Sequence, residues 1–343
     1  MPNLSDYLLP DGRYYFDNAA TTRMSVEALR VYNETAERWF MNPMSYKDFD
    51  PEIENLLTKA RNHVGEFVGG DPHNDTVIFT SGATESINLL LKGFFFANFQ
   101  QKRKIITSPI EHKAVLETCK YLESIGAELE FVNITEDGVV DYDHLEFIVD
   151  KDTLFVCLMH VNNETGEISD LQRIYDIVKS ANTKFFTDTT QSITKLDVNA
   201  KYFDACVGSA HKFHGPKGVG FIYFKDDIKL TPNLHGGKQE FGLRAGTHNL
   251  PSIVSMVSVL QIRQRDYDSI AQNLLSQIDS ITNFSKLRMS LHILLIELNP
   301  NDEKRFSEKF IYSKGSACHG GVIAQSHVYH EIYPEKNVLR ISF

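Results

Sequence analysis

The sequence predicts an α/β fold: a mostly parallel seven-stranded sheet between helices, with a smaller α+β unit towards the end of the chain. Three observations predict it. Short apolar runs begin near Thr76, longer segments with helical periodicity separate them, and the alternation stops after Thr247. Continuous apolar strands that alternate with helices are typical of a parallel sheet covered on both faces.

Each strand is predicted from a short run rich in β-branched and aromatic residues. The predicted strands are Thr76–Thr80, Lys104–Thr107, Leu129–Val132, Leu154–Met159, Lys184–Thr187, Asp204–Val207 and Gly220–Phe224. Helices are predicted between them at Thr84–Phe99, Ala114–Ile125 and Leu171–Ala181. Because Gly220–Phe224 follows the preceding loop directly, it is the strand that can run antiparallel to its neighbours.

The last third of the chain has a different pattern. A long helix is predicted at Leu250–Asp268, and an α+β tail follows with a strand at Leu291–Leu298. No repeat, low-complexity segment or linker separates the two parts. We therefore expect a large domain at 16–262 packed directly against a small domain formed by 1–15 and 263–343.

Composition limits the possible function classes. The chain has 343 residues, 42% of them hydrophobic, which is enough for a large core. Its net charge of −10 argues against a general nucleic-acid binder, which would be basic. The N-terminus lacks a signal-peptide pattern, and polar residues interrupt the longest apolar stretch, Ile87–Phe99, so no membrane association is expected.

The four cysteines are Cys119, Cys157, Cys206 and Cys318. Their spacing matches neither a disulfide framework nor a common metal site. A site formed by Cys318 with nearby histidines stays an alternative, but no metal is expected. A reducing cytoplasm fits this cysteine usage.

Lys212 is the most informative residue. It follows a predicted strand, and Asp188 ends the preceding strand twenty-four residues upstream. A lysine amine can form a Schiff base with the aldehyde of pyridoxal 5′-phosphate (PLP), while a carboxylate keeps the pyridine nitrogen protonated. The sequence therefore predicts a PLP site at the carboxyl ends of these strands.

Three further segments follow predicted strands. Ser81–Glu85 leaves a strand through a glycine and enters a helix, which suits a phosphate, although an ordinary helix cap has the same pattern. His112 can stack on a cofactor ring and exchange protons near neutral pH, or it is a surface histidine. Asn163 offers an amide to a ring hydroxyl, or it forms a turn.

Taken together, these segments resemble the class V, fold-type I PLP enzymes, and among them the cysteine desulfurases of the group that includes the bacterial housekeeping and nitrogen-fixation enzymes. The matching segments are Phe16–Thr22, Asn42–Pro43, Ser81–Glu85, Glu111–Lys113, Asn162–Glu164, Asp188 with Gln191, Ser209–Lys212, His235–Gly237, Arg244–Thr247, Gly315–Cys318 and Arg340–Phe343. Each is modest alone, and their order is specific.

The resemblance implies roles for individual residues. Lys212 would be the Schiff-base lysine, Asp188 the pyridinium partner, and His112 the residue that stacks on the ring and transfers protons. Gln191 and Asn163 would contact the ring hydroxyl. The cofactor phosphate would be held by residues of three segments: Ala83, Thr84, Ser209, His211 and, from the partner subunit of a homodimer, a threonine equivalent to Thr247. Asn18 and Arg340 would bind the substrate carboxylate, for which a guanidinium is well suited.

Cys318 distinguishes between reactions. It lies among glycines and small residues, where a thiolate can attack the sulfur of a bound L-cysteine and keep it as a persulfide. A buried structural role is the alternative, and it suits Cys119, Cys157 and Cys206 better. The prediction is a cysteine desulfurase that releases L-alanine; a selenocysteine lyase, another class V lyase, or a sulfur-relay subunit with a structural PLP fold are the alternatives.

The match departs from the family after Cys318. His319 adjoins the thiol, and a cationic imidazole there would lower the thiol pKa. The chain ends at Phe343, close behind Arg340, whereas the familiar enzymes continue through further helices that help to dock a sulfur-accepting protein. A sulfur-acceptor protein is expected, for iron–sulfur cluster assembly or thiolation, and its identity is left open.

Overall fold

The computed structural model describes residues 4–46, 51–260, 267–279, 284–315 and 326–343. Cys318 and His319 lie outside the described residues. The strands are β1 Tyr14–Tyr15, β2 Thr76–Thr80, β3 Lys104–Thr107, β4 Glu128–Phe131, β5 Thr153–Cys157, β6 Lys184–Asp188, β7 Ala205–Ser209, β8 Gly220–Phe224, β9 Ser285–Ser290, β10 Ile293–Glu297, β11 Phe310–Ile311 and β12 Val338–Ser342. The helices are α1 Val26–Arg38, α2 Pro43–Tyr46, α3 Pro51–Phe67, α4 Ala83–Asn98, α5 Lys113–Ser124, α6 Tyr142–Ile148, α7 Leu171–Ser180, α8 Leu250–Leu260, α9 Tyr267–Asp279, α10 Pro300–Lys309 and α11 His327–Ile332.

The central sheet has seven strands in the order β2-β8-β7-β6-β5-β3-β4. Strands β4, β3, β5, β6 and β7 are parallel, whereas β8 is antiparallel to both β2 and β7. The predicted fold class is confirmed, including the antiparallel strand Gly220–Phe224. Because β8 runs opposite to both neighbours, β2 points the same way as the parallel strands, so six strands end at one edge of the sheet.

Both faces of this sheet are buried, as the continuous apolar runs predict. Along β5, Phe155 and Cys157 belong to one hydrophobic cluster, while Val156 packs into the cluster on the opposite face. Phe94 of α4 packs edge-on against Phe186 of β6, with the ring centroids 5.0 Å apart. A two-sided core of this kind holds the carboxyl ends of the strands in fixed positions.

The second part of the chain forms an antiparallel sheet in the order β12-β10-β9, with β10 in the middle. Its core includes Leu294, Ile296 and Phe306 together with Phe16 from the beginning of the chain. The predicted strand Leu291–Leu298 is therefore present, but β10 starts at Ile293 because Leu291, with a φ of +49°, lies in the turn after β9. The division into domains at 16–262 stays a prediction.

The long helix predicted at Leu250–Asp268 is described only at its two ends. Residues 250–260 form α8, and Tyr267 begins α9. Residues 261–266 lie outside the described part. Within the described residues, no helix is long and apolar enough to cross a membrane.

Candidate active site

A cavity of about 470 Å³ lies at the edge where the parallel strands end. It is lined by Ala19, Ala20, Thr21, Ser81, Gly82, Ala83, Thr84, Glu85, His112, Met159, Val161, Asn163, Asp188, Thr190, Gln191, Ser209, His211, Lys212, Lys217, Gly218 and Arg340. Ten of the site residues predicted from sequence line this one cavity. Their roles in catalysis and binding stay predictions.

Lys212 reaches the cavity from the turn after β7. Ala210–Lys212 forms a short 3₁₀ turn. A hydrogen bond of 3.1 Å from Ala210 N to Val219 O fixes the start of this turn. The Lys212 Nζ donates to the carbonyl oxygens of Ala19 at 2.7 Å and Ala20 at 2.8 Å. The early segment of the chain therefore crosses the strand ends and fixes the position of the amine.

Asp188 is the last residue of β6 and is 7% exposed. Its Oδ1 accepts a hydrogen bond of 2.9 Å from the backbone N–H of Thr190. The Thr190 Oγ1, which is buried beside it, has no hydrogen-bond partner in the described part of the chain. A buried carboxylate and an unsatisfied hydroxyl at a cavity wall indicate a place built for a polar ligand.

The phosphate seat is predicted at the first turn of α4. Gly82 precedes the helix with a φ of +153°, a conformation that favours glycine, and no side chain caps the helix there. The first N–H groups of a helix have no partner within it, and the helix dipole favours an anion. The Ser209 hydroxyl oxygen lies 3.3 Å from the position that a Cβ on Gly82 would take. A bare backbone, a hydroxyl and a helix N-terminus thus meet at one point.

Gly220, at the start of β8, packs against the backbone of the Gly82 turn. A Cβ on Gly220 would lie 2.5 Å from the Gly208 carbonyl oxygen and 2.7 Å from the Gly82 Cα. Both contacts are with backbone, which cannot move aside as a flexible side chain can. The close approach of β7, β8 and the Gly82 turn therefore requires glycine at this position.

We expect Gly220→Ala to displace the Gly82 turn, to destabilise the fold by about 1–3 kcal/mol and to weaken retention of PLP during dialysis by roughly tenfold. Gly65→Ala is the matched control, because the nearest atom to its added Cβ is the Val77 Cγ2 at 4.0 Å. Retention of PLP equal in both variants would contradict this account of the phosphate seat.

His211 lies beside the seat. Its Nδ1 is 3.1 Å from the hydroxyl oxygen of Thr21. Burial, with Lys212 and Lys217 nearby, lowers the pKa of His211 to about 4. The imidazole is therefore neutral at physiological pH, and the positive charge on this side of the cavity comes from the two lysines.

His112 caps α5. Its Nδ1 accepts a hydrogen bond of 3.1 Å from the Ala114 N–H, so the proton of the neutral ring is on Nε2. The preceding residue, Glu111, is fully buried, and its Oε1 accepts from Ser108 Oγ and Met159 N, both at 2.9 Å. Burial raises the pKa of Glu111 to about 8. The carboxyl group thus anchors the turn that presents His112 to the cavity.

Arg340 of β12 is 1% exposed. Its Nη1 donates to the Asn163 carbonyl and its Nη2 to Asp17 Oδ1, both at 2.7 Å. Burial alone would lower the pKa of Arg340, but Asp17 and the neighbouring Tyr329 and Glu164 together raise it. Its buried Nε has no partner among the described residues. The guanidinium is a fixed cation at the cavity wall, as a carboxylate-binding group must be.

We expect Arg340→Ala to weaken L-cysteine binding by roughly 2–4 kcal/mol while PLP remains bound, because Arg340 is predicted to form a charge-assisted pair with the substrate carboxylate. A spectroscopic titration of the PLP-loaded protein with L-cysteine measures this. Arg288→Ala is the control, since Arg288 lies on β9 of the same sheet and pairs with Glu167 at 2.7 Å. Unchanged affinity in Arg340→Ala would assign the carboxylate to another residue.

Among the described site residues predicted from sequence, Asn18 and Thr247 do not line the cavity. Asn18 is 7% exposed and lies next to it in the chain. Thr247 is exposed, in a loop that is tied to the cavity rim where Arg244 Nε donates to Glu85 Oε1 at 2.8 Å. Cys318 is outside the described residues. Of the described ranges, none holds a group of three or more His, Cys, Asp or Glu residues arranged to bind a metal ion.

Sequence reasoning missed several cavity residues. The Ala19 and Ala20 carbonyls, which hold Lys212, carry no side-chain signal, and Met159 and Val161 read as ordinary apolar positions. Thr190 lies between Asp188 and Gln191, and that placement was a usable signal. Lys217, five residues after Lys212, was another.

The profile of the class-V aminotransferase family matches residues 14–343. The chain belongs to this family. Among curated proteins, it is 35% identical to "Cysteine desulfurase IscS" of Buchnera aphidicola subsp. Schizaphis graminum, over 92% of this chain and 82% of that protein. It is 37% identical to the protein of the same name from Dictyoglomus turgidum, over 76% of this chain and 66% of that protein. The predicted resemblance to the cysteine desulfurases is confirmed.

Solved structures agree. The chain superposes on a "NIFS-LIKE PROTEIN" with a TM-score of 0.85 and 33% identity, over 96% of this chain and 93% of that one. It superposes equally, with a TM-score of 0.85 and 32% identity, on "SspA in complex with cysteine", over 96% of this chain and 98% of that one. The fold is therefore that of the fold-type I enzymes of this family.

Proposed function

We propose that this protein is a PLP-dependent cysteine desulfurase that converts L-cysteine to L-alanine and transfers the sulfur to Cys318 as a persulfide. The observation that carries the proposal is that Lys212, Asp188 and the Gly82 phosphate seat line one cavity in a chain of the class-V aminotransferase family. One of its structural relatives, SspA, was solved in complex with cysteine, which supports L-cysteine as the substrate.

The residues of the cavity fit PLP. The bare backbone at Gly82 leaves room for a phosphate, and the buried Thr190 Oγ1 lacks a partner in the described part of the chain. The phosphate would be held by Ala83, Thr84, Ser209 and His211, the ring nitrogen by Asp188, and the ring hydroxyl by Asn163 and Gln191. When bound, PLP withdraws electrons from the α-carbon of the amino acid attached to it.

The side chains of this chain would then bind the substrate and move its protons. Arg340, with Asn18 nearby, binds the α-carboxylate and sets the orientation of the α-carbon. The Lys212 amine is held over the cavity by two carbonyls and transfers protons at that carbon. His112, with its proton on Nε2, donates from the cavity wall.

Cysteine chemistry supports Cys318 as the sulfur carrier. Burial raises the pKa of Cys119 to about 12 and moves the pKa values of Cys157 and Cys206 well above the ordinary thiol range. A thiol nucleophile must ionise, so these three are unsuited to attack a sulfur. Since the sequence has four cysteines, Cys318 is the remaining candidate.

The described residues that flank 316–325 lie close to the cavity, which supports Cys318 as the sulfur carrier. A Cβ on Gly315 would lie 2.6 Å from the Ser326 Cβ, so the segment leaves and returns at the same point. The Ser326 Oγ donates to Glu164, which follows the cavity residue Asn163. Cys318 is three residues from Gly315, so their Cα atoms are at most about 11 Å apart.

A product assay tests the function. The purified protein, loaded with PLP and given L-cysteine and a reductant, should form L-alanine and sulfide in equal amounts. Turnover of selenocysteine without turnover of cysteine would favour a selenocysteine lyase. Bound PLP with no turnover of either amino acid would favour a sulfur-relay subunit.

The proposal extends to partners and location. A sulfur-acceptor protein is expected because a persulfide must be discharged before the next turnover, and iron–sulfur cluster assembly or thiolation stays the predicted pathway. We place the protein in the cytoplasm, where a reactive thiol stays reduced.

We also propose a symmetric homodimer in which Thr247 reaches the partner's phosphate. The loop around Thr247 exposes Leu234, at 49%, and Phe241, at 69%, which suits a buried interface. Sedimentation at low micromolar concentration should show the dimer as the active species. Thr247→Ala should weaken PLP retention and leave the dimer intact. A fully active monomer would contradict the shared site.

A further inference from the structure

His292 makes a hydrogen bond to a cavity residue. Its Nε2 lies 3.0 Å from the Oε1 of Gln191, 101 residues earlier in the chain. The Nε2 of Gln191 in turn donates to the Ala19 carbonyl at 2.9 Å, and the same carbonyl accepts from Lys212 Nζ. Gln191 is 3% exposed and His292 is fully buried. A continuous path of hydrogen bonds thus joins His292 to the site lysine.

The direction of each hydrogen bond follows from the chemistry of the groups. The Ala19 carbonyl can only accept, so the NH₂ group of Gln191 must face it. The Gln191 Oε1 then faces His292 and needs a donor. His292 therefore carries its proton on Nε2 and donates a hydrogen bond to Gln191. An unprotonated Nε2 would leave two acceptors facing each other 3.0 Å apart.

The surroundings keep His292 in this form. Burial, together with Lys195, Arg340 and Lys212, holds the pKa of His292 well below its usual range. The imidazole is neutral and has a single N–H. Its Nδ1 has no hydrogen-bond partner in the described part of the chain. No carboxylate is therefore needed to fix the tautomer, because the Gln191 carbonyl oxygen accepts the hydrogen bond from the Nε2–H.

The backbone holds His292 in place from the second sheet. It lies in the tight turn between β9 and β10, after Leu291 with a φ of +49°, and its carbonyl accepts from the Phe343 N–H at 3.2 Å. The Tyr267 ring packs against the imidazole with the centroids 5.9 Å apart. The turn thus delivers one rigid donor to the back of the cavity.

We propose that His292 is a positioning residue that fixes the orientation of the Gln191 amide, so that Gln191 presents only N–H donors to the ring oxygen of the cofactor. An amide NH₂ has two donors, and the bond to Ala19 uses one of them. The second is left for the cavity occupant. A donor at this position stabilises the ring oxygen as an anion and disfavours its protonated form. The inference rests on the proposed PLP cofactor.

Without the His292 proton, the Gln191 amide loses the bond that holds its oxygen away from the cavity. Oε1 would then have no hydrogen-bond donor from His292, and the bond to the Ala19 carbonyl alone would oppose rotation of the amide. The rotated amide presents an acceptor to the ring oxygen, which suits the protonated form. The balance between the two forms of the cofactor is visible in its absorption spectrum, so the proposal has a direct optical readout.

The test compares variants of the PLP-loaded protein. His292→Met removes the donor at similar size, His292→Gln keeps an N–H donor, and Ser290→Ala removes a hydrogen bond of the same turn to the Gly166 carbonyl without touching Gln191. We expect His292→Met to shift absorbance from the visible band to the near-ultraviolet band and to weaken PLP retention roughly 3- to 10-fold. His292→Gln should restore most of the visible band, and Ser290→Ala should keep the wild-type spectrum.

A double-mutant cycle separates this role from a general packing role. If His292 acts through Gln191, then His292→Met should cause no further spectral change in a Gln191→Met background. Identical spectra for wild type and His292→Met would overturn the proposal, as would the same additional shift in both backgrounds. If His292→Met does not fold, His292→Leu, which also lacks a donor, takes its place in the same cycle. A wild-type protein that binds no PLP would instead contradict the proposed function.

Discussion

Lys212→Ala is expected to abolish the visible absorbance of the PLP-loaded protein and to reduce alanine formation from L-cysteine by about 10³-fold or more. The variant lacks the amine that is proposed to attach the cofactor and to transfer protons at the α-carbon. The fold should survive, because Lys212 is only half-buried and its two carbonyl partners can bind water instead. Absorbance spectra, product analysis and thermal unfolding measure the three effects.

Lys217→Ala is the matched control for this experiment. Lys217 lines the same cavity but is exposed, and the structure gives it no contact with the Ala19 carbonyl. We expect Lys217→Ala to reduce the affinity for the cofactor phosphate and to leave the visible absorbance band in place. A visible band that persists in Lys212→Ala and disappears in Lys217→Ala would transfer the role of the attached lysine to Lys217.

Cys318→Ser is expected to keep bound PLP and the spectral change on addition of L-cysteine, and to lose nearly all desulfuration. A serine hydroxyl cannot accept sulfur as a persulfide, whereas the cavity residues that hold PLP and the carboxylate are unchanged. Stopped-flow absorbance separates substrate binding from product formation. Alkylation followed by mass spectrometry should find the persulfide on the peptide that contains Cys318 in the wild type only.

Cys119→Ser is the control for the thiol. Cys119 lies on α5 and is fully buried, and its pKa is raised to about 12. Cys119→Ser should therefore lower the stability of the fold and leave sulfur transfer intact. Unaltered alanine formation in Cys318→Ser under turnover would exclude the persulfide mechanism and favour a lyase that releases its sulfur product directly.

The fold could be predicted from sequence because its signals are local. The seven strands of the central sheet lie within two residues of their predicted bounds, since apolar runs such as Gly220–Phe224 are buried on both faces. Where local signals mislead, non-local packing decides: the strand expected from Leu291 begins at Ile293 because the chain turns after β9. Strand order, with β8 between β2 and β7, has no signature in the sequence.

The candidate site could be predicted in part for the same reason. Strand ends collect polar side chains, so Lys212, Asp188, His112 and Asn163 were visible as residues that follow strands. Contacts made by backbone carbonyls were not visible, nor were contacts between distant turns. His292 belongs to the last group: nothing near it in the sequence indicates that it reaches Gln191.

The two ends of the chain meet at the lysine, and this affects when the site can form. The carbonyls that hold Lys212 belong to residues 19–20, and the backbone of this stretch is fixed in turn by β12, where Ala19 N donates to Ser342 Oγ at 2.8 Å and Asn18 N to Ser342 O at 3.2 Å. A growing chain makes residue 19 long before residue 342, which is 323 residues further along. The central sheet can fold as it emerges from the ribosome, but residues 18–19 lack their two hydrogen bonds to β12 until that strand has been made. A nascent chain released before β12 would carry a folded core in which this segment keeps only its other contacts, such as the hydrogen bond from the Gln191 amide to the Ala19 carbonyl.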